Sequence, residues 1–189
     1  MSLIYWENRE VYFLNKSKSK TVPILIKKNN EVIEESLEII LWAISESSKE
    51  NVKLIYLPDE KKENIFEIIN ENDNEFKYHL DRFKYAARYQ DSNEEFHFRK
   101  AIIFINKWNE LLAENIYFFG DNPTIADWSI WPFVRQFRIA CESQKRTNYL
   151  KPSIKNWLGS FENNIKFKSL MYKYELWAPN SGKNYFPSN

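Results

Sequence analysis

The feature that most constrains the fold of this chain is the uneven distribution of its strand-forming residues. β-Branched and aromatic runs typical of strands occur near the N-terminus, at Glu10–Leu14, Thr21–Ile26 and Glu31–Glu34. From Lys62 onward, apolar residues recur at helical spacing and strand signals are almost absent. The sequence therefore predicts an α+β protein, in which a small N-terminal α/β unit precedes an all-helical region.

The last two predicted strands and the start of the next helix form one short unit. Only the polar turn 27–30 separates the strands, which favours an antiparallel hairpin. Pro23 stands at the start of its strand, where a missing N–H is tolerated. Ser36 is predicted to cap a helix that runs from about residue 36 to residue 47. Exposed backbone near Pro23 and a helix N-terminus at Ser36 would suit a ligand that carries a carboxylate.

The remainder of the chain is predicted to be helical and to end in an irregular tail. Apolar periodicity predicts further helices around residues 65–69, 74–89, 93–114, 124–141, 152–161 and 165–174. The pattern breaks between residues 47 and 62, and we place the domain boundary there. The predicted domains are an N-terminal domain over 1–50 and an all-helical domain over 60–177. The Pro-, Gly-, Ser- and Asn-rich residues 178–189 form the tail.

Composition excludes several classes of function. The net charge is +1 with interleaved signs, which argues against a partner that is nucleic acid or an anionic membrane. No apolar run approaches the length of about 20 residues that a membrane helix needs. A single cysteine, no basic-then-apolar leader and only three glycines predict a cytoplasmic protein without internal disulfides or a glycine-rich phosphate loop. Two histidines leave little material for a metal site, and we predict none.

A second informative stretch is Gly120-Asp121-Asn122-Pro123-Thr124-Ile125-Ala126-Asp127. Thr124 is a candidate N-cap and Asp127 lies three residues later, the spacing of a capping box. The helix that follows is apolar on several sides, which is typical of a central helix. We interpret Thr124 and Asp127 as a structural capping box.

Three side chains that could act as a nucleophile or as metal ligands are interpreted as structural. Cys141 lies late in an apolar helix and is predicted to be a small core residue rather than a nucleophile. His79 and His97 lie on predicted helices without carboxylate partners at ligand spacing, and both are predicted to lie on the surface.

These stretches, in this order and at this separation, resemble the glutathione S-transferase family, in particular a bacterial branch of it. The resemblance covers about residues 8–177, and it also rests on Asp81-Arg82-Phe83-Lys84-Tyr85, Pro132-Phe133-Val134-Arg135-Gln136-Phe137 and Met171–Trp177. It implies a thioredoxin-like N-terminal domain, here truncated, followed by the family's all-helical domain. It also implies that the proline of Val22-Pro23 is cis.

The resemblance implies a binding site for glutathione, as a substrate. The Val22 backbone would pair with the cysteinyl part, beside Pro23. Glu35 and Ser36 would hold the γ-glutamyl end, because a helix N-terminus favours a carboxylate. An ordinary strand start and an ordinary N-cap are the alternative interpretation of the same residues.

The N-terminus departs from the family's pattern. The family begins with a strand and a helix that carry the catalytic Tyr, Ser or Cys, whereas this chain matches from about the second strand. The catalytic residue is therefore unknown, and either the natural N-terminus is longer or the protein does not use that chemistry. A sheet without an inner strand exposes an edge, and we predict a homodimer. Two functions remain open: conjugation of glutathione to an unknown small electrophile, or a non-catalytic binding or protein-interaction module of the same fold.

Overall fold

The computed structural model describes residue 18 and residues 22–47, 57–89 and 93–172 of the chain, with the side chains of residues 166 and 168 excepted. The predicted strand at Glu10–Leu14, the predicted truncation of the N-terminal domain and the predicted tail at 178–189 fall on residues outside the described ranges. The chain divides into two compact units. One unit comprises the residues up to Glu46 together with those from Glu162 onward, and the other comprises Ser47–Phe161. The domain boundaries expected from the sequence stay a prediction.

In the first unit, two short strands form an antiparallel sheet, as predicted. Strand β1 (Leu25–Ile26) pairs with β2 (Val32–Ile33), with Leu25 opposite Ile33 and Ile26 opposite Val32. The turn is closed by a backbone hydrogen bond from Lys27 N–H to the Glu31 carbonyl of 2.8 Å, and by an ion pair between the same two side chains of 3.0 Å. Helix α1 (Ser36–Glu46) follows directly.

Among the residues described, the regular elements of the second unit are all helices. Its α-helices and those that follow in the chain are α2 (Lys62–Glu71), α3 (Lys77–Lys84), α4 (Glu94–Leu111), α5 (Ile125–Ser143), α6 (Pro152–Glu162) and α7 (Ile165–Leu170). Short 3₁₀ turns at Asp59–Lys61 and Ala86–Arg88 precede α2 and follow α3. Together with the small sheet, these helices confirm the predicted α+β fold class. None of the helices in the described part of the chain is long and apolar enough to cross a membrane.

Two predicted helices, around 65–69 and 74–89, are one continuous helical segment. A π-helical turn at Asn72–Phe76 joins α2 to α3 without a break. Residues 70–73 are polar, so the sequence pattern leaves them between the two predicted helices, whereas Phe76 belongs to the predicted helix around 74–89. Within the turn, however, Asn72 and Phe76 are both fully buried. The buried core therefore includes Asn72, a polar residue from a segment whose composition is typical of a loop.

Aromatic rings fill the core of the helical unit. Phe76 packs against Trp108 with ring centroids 4.8 Å apart, and Phe137 lies 5.6 Å from Phe83. Such pairs add about 0.5–1.5 kcal/mol each beyond the apolar area they bury. Helix α5 is central, since eight of its residues are buried. Helix α5 continues through Pro132, which lies in its interior.

Candidate functional site

The hairpin places the two predicted ligand-binding stretches at the same end of the first unit. The register pairs Leu25 with Ile33, two residues after Pro23 and two residues before Glu35. Counted outward along the hairpin, Pro23 therefore corresponds to Glu35. The segment that enters β1 and the segment that leaves β2 for α1 are therefore at the same end of the hairpin.

Val22 and Pro23 lie at the surface of this end. The peptide bond between them is cis. Val22 is 63% exposed, which is unusual for a valine beside a sheet, and Pro23 is also exposed. The backbone immediately before β1 is thus accessible to a ligand.

Helix α1 begins at Ser36, and this shifts the predicted cap by one residue. The Ile39 N–H donates to the Glu35 carbonyl at 3.0 Å, which is the first hydrogen bond of the helix. Glu35 is therefore the N-cap, and Ser36 is the first helical residue rather than the cap. Glu35 is exposed and Ser36 is half-buried. The positive end of the helix dipole and its leading N–H groups accordingly lie at these two residues.

The capping box of Thr124 and Asp127 is present in the helical unit and is more extensive than a cap. Asp127 Oδ2 accepts hydrogen bonds from the Thr124 backbone N–H at 2.8 Å and from its hydroxyl at 2.9 Å. Asp127 Oδ1 accepts from the Phe118 N–H at 3.1 Å and from the Trp157 indole N–H at 2.9 Å. Burial raises the pKa of the Asp127 carboxyl, while the four donors act in the opposite direction. This carboxylate ties together the loop before α5, α5 itself and α6.

The loop that supplies the Phe118 N–H is closed by a tight turn. Tyr117 and Gly120 exchange backbone hydrogen bonds of 2.9 and 3.3 Å. Gly120 has φ of +135°, and a Cβ there would meet no atom within 4 Å. Glycine is needed at this position for its backbone conformation, not for space.

A cavity of about 400 Å³ opens between α3, the π-turn and α5. It is lined by Asp73, Asn74, Lys77, Tyr78, Leu80, Asp81, Arg82, Phe133 and Gln136. Lys77 pairs with Asp73 at 3.3 Å, and its ammonium lies 4.7 Å from the centre of the Phe133 ring. The Arg82 guanidinium lies 3.6 Å from the centre of the Tyr78 ring. The cavity therefore combines cations, carboxylates and aromatic faces. No local pattern in the sequence marks this cavity, since its lining comes from residues up to 63 positions apart.

The prediction that both histidines lie on the surface is wrong for His97. Its side chain is 6% exposed, and its Nδ1 lies 2.8 Å from Nδ1 of the half-buried His79. The two histidines lie 18 residues apart on different helices. Spacing along a single helix therefore could not reveal that they are partners. Desolvation lowers the pKa of both imidazoles, and nearby cations lower it further.

Cys141 is a free, fully buried thiol, as predicted. Burial raises its pKa to about 12, and the thiol is therefore protonated at neutral pH. Among the described residues, no group of three or more His, Cys, Asp or Glu side chains is placed to hold a metal ion.

One protein-family model matches part of the helical unit. Residues 104–160 match the family model described as glutathione S-transferase, C-terminal domain. None of the curated protein sequences is significantly similar to this chain.

Solved structures share the fold across most of the chain. A glutathione S-transferase of class Gtt2 from Vibrio parahaemolyticus superposes with a TM-score of 0.68 at 17% identity, over 89% of this chain and 81% of that one. A glutathione transferase family member from Pseudomonas fluorescens with two glutathione bound gives 0.64 at 18% identity, over 84% and 74%. The GST-like domain of elongation factor 1-gamma from Saccharomyces cerevisiae gives 0.65 at 13% identity, over 87% and 78%. The chain therefore has the glutathione S-transferase fold, and its residues 104–160 are similar to the C-terminal domain of that family.

Proposed function

We propose that this protein binds glutathione at the end of its hairpin, through Val22, Pro23, Glu35 and Ser36. The observation that carries the proposal is the register of β1 and β2, which brings exposed backbone before β1 alongside the start of α1. A tripeptide with a free carboxylate at each end needs extended backbone to pair with and a positive site for its charge. The exposure of Val22 and Pro23 and the start of α1 at Ser36 support this proposal.

Each residue has a distinct part in the proposed site. The Val22 backbone pairs with the cysteinyl residue of glutathione in the manner of an added strand. The leading N–H groups of α1, beginning at Ser36, and the Ser36 hydroxyl bind the γ-glutamyl carboxylate. The exposed Glu35 carboxylate pairs with the γ-glutamyl ammonium group. The assignment thus satisfies both charges of the γ-glutamyl end.

The finer proposal is conjugation of glutathione to a small electrophile. The nucleophile in such a reaction is the thiolate, so a donor must lower the pKa of the glutathione thiol. In the family this donor comes from the first strand and helix, and residues 1–17 lie outside the described residues. The 400 Å³ cavity of the helical unit has the size of a small-molecule site. We further propose a cytoplasmic homodimer without a metal cofactor.

A non-catalytic binding or protein-interaction module is the second candidate. It is favoured by the similarity to the GST-like domain of elongation factor 1-gamma, because a shared fold does not imply a shared chemistry.

Glutathione binding can be tested by following the melting temperature as glutathione is added. At about 100 times the Kd, binding stabilises the folded state by about 2.7 kcal/mol, which raises the melting temperature by roughly 5–10 °C. Ser36→Ala and Glu35→Gln should each weaken binding about tenfold, the loss of one charge-assisted hydrogen bond. Ser45→Ala and Glu46→Gln, at the exposed far end of the same helix, should bind as the wild type does.

Equal affinity in all five proteins would refute the proposed site, and no shift in the wild type would refute glutathione binding. A conjugation assay with a chromogenic aryl halide then separates the two candidates. Turnover above the rate without protein supports the transferase, whereas binding without turnover supports the module.

A further inference from the structure

The pair formed by His79 and His97 links two helices of the core bundle. His79 lies on α3 and His97 on α4, and their Nδ1 atoms are 2.8 Å apart, a hydrogen-bond distance. The ring of Tyr78 lies 5.1 Å from the ring of His79 and 5.7 Å from that of His97, and Phe96 lies 5.2 Å from His97. The two imidazoles therefore lie between α3 and α4 in contact with two aromatic rings, Tyr78 and Phe96, which are themselves about half exposed.

This contact requires that at least one imidazole is neutral. Between two Nδ1 atoms, one must carry the hydrogen and the other must offer its lone pair. When both rings are protonated, both Nδ1 atoms are donors and both rings are cations. The hydrogen bond is then lost and replaced by repulsion between two like charges at close range.

The charges around the pair disfavour protonation. Lys100 on α4 and Arg82 on α3 both act on His79, and Arg82 also acts on His97. The carboxylates at the start of α4, Glu94 and Glu95, bind Arg146 instead. Other charged groups on elements that pack against α3 contact partners of their own: Asp73 with Lys77, Arg88 with the Tyr85 ring, and Arg138 with Glu142.

The pair also adjoins the cavity through two shared side chains. Tyr78, which contacts both imidazoles, lines the cavity, and so does Arg82, which stacks on Tyr78 at 3.6 Å. A second positive charge on the imidazoles would repel Arg82 and loosen its stacking. Protonation of both imidazoles would therefore change the positions of Tyr78 and Arg82 in the wall of the cavity.

We propose that the His79–His97 pair is a pH-sensitive tie between α3 and α4, intact when neutral and broken when both rings are protonated, which couples pH to the Tyr78–Arg82 wall of the cavity. The direction follows from the lowered pKa of both rings in the folded protein. Between the folded pKa and the unfolded value of about 6.5, the unfolded chain binds more protons, so stability is present at higher pH and is lost as pH falls through this window.

The chain contains only these two histidines, which makes the proposal directly measurable by NMR. In the wild type, both imidazoles should titrate below about 6.5, and the ¹⁵N spectrum should show one Nδ1–H and one Nε2–H tautomer. In His79→Asn, the titration midpoint of His97 should rise, because a protonated His97 is no longer repelled by a second positively charged ring. Lys100→Gln should raise the midpoint of His79 more than that of His97, since the charge of Lys100 lowers the pKa of His79.

Stability and hydrogen exchange test the structural consequence. Between roughly pH 7.5 and 5.5, the wild type should lose about 3 °C more in melting temperature than His79→Asn does. Amide protection of residues 77–84, corrected for the intrinsic pH dependence of exchange, should fall about fivefold more than that of α6. Lys62→Gln, an exposed cation on α2, is the matched control for Lys100→Gln and should leave both midpoints unchanged.

Two independent titrations near 6.5 in the wild type would overturn the proposal, and this measurement needs no variant to fold. The proposal would also be overturned if the amide protection of residues 77–84 changed with pH by the same factor as that of α6. Because the readouts use no glutathione, failure of the tie and failure of the proposed function are distinguishable.

Discussion

Replacing Asp127 by alanine should be among the most destabilising changes in the helical unit. The carboxylate accepts four hydrogen bonds, from the Thr124 N–H and hydroxyl, the Phe118 N–H and the Trp157 indole. The variant would leave these donors without their acceptor in a site that is fully buried. An unsatisfied buried donor costs about 1–3 kcal/mol, and the Thr124 hydroxyl can rotate toward another acceptor. Three orphaned donors at the lower to middle values predict a loss of about 4 kcal/mol.

The isosteric variant Asp127→Asn refines the prediction. Its amide oxygen can still accept the two bonds from Phe118 and Trp157, whereas its NH₂ group faces two donors on Thr124. The Thr124 hydroxyl can reverse and accept, but the Thr124 N–H cannot. We expect a loss of about 2 kcal/mol, half that of the alanine variant.

Urea unfolding followed by circular dichroism at the helical wavelength measures both values. Asp121→Ala removes an exposed carboxylate from the same loop and should change stability by no more than about 0.5 kcal/mol. A loss below about 1 kcal/mol for Asp127→Ala would refute the reasoning, because it would mean that the four donors find water or other acceptors at little cost.

Two further predictions concern the helical unit. Arg146→Lys should lower the melting temperature by about 3 °C, because lysine cannot reproduce the guanidinium fork that binds Glu94 and Glu95 and stacks on Phe98; the loss should shrink in high salt. Cys141 should react with iodoacetamide at mildly alkaline pH about 1,000-fold more slowly in the folded protein than in concentrated urea, because its pKa is raised to about 12; comparable rates by mass spectrometry would contradict this.

Features set by near neighbours in the chain were predictable from the sequence. The hairpin between residues 25 and 33 follows from two β-branched runs and a four-residue polar turn. The Thr124–Asp127 capping box follows from a spacing of three residues, and the burial of Cys141 from its position in an apolar helix. The start of α1 was misplaced by one residue, because serine is common both at the N-cap and in the first turn.

Features set by the packing of distant elements were not predictable. The polar residues 70–73 separate two predicted helices in the sequence, yet the helical segment continues through them and Asn72 is buried there. The neighbouring Phe76 packs against Trp108 of α4 and Phe137 of α5. The histidine pair has no signature in either helix alone. The cavity likewise takes Lys77 and Phe133 from helices that only the packing brings together.

Local patterns in the sequence are enough to predict the hairpin, the central helix α5 and its capping box. These depend on periodicity and on contacts over three or four residues, which any chain with this order of side chains makes locally. The tertiary structure decided that Asp127 also holds Trp157, 30 residues away, and that His79 meets His97. Such contacts depend on how helices are positioned by the whole core, and no local pattern encodes that positioning.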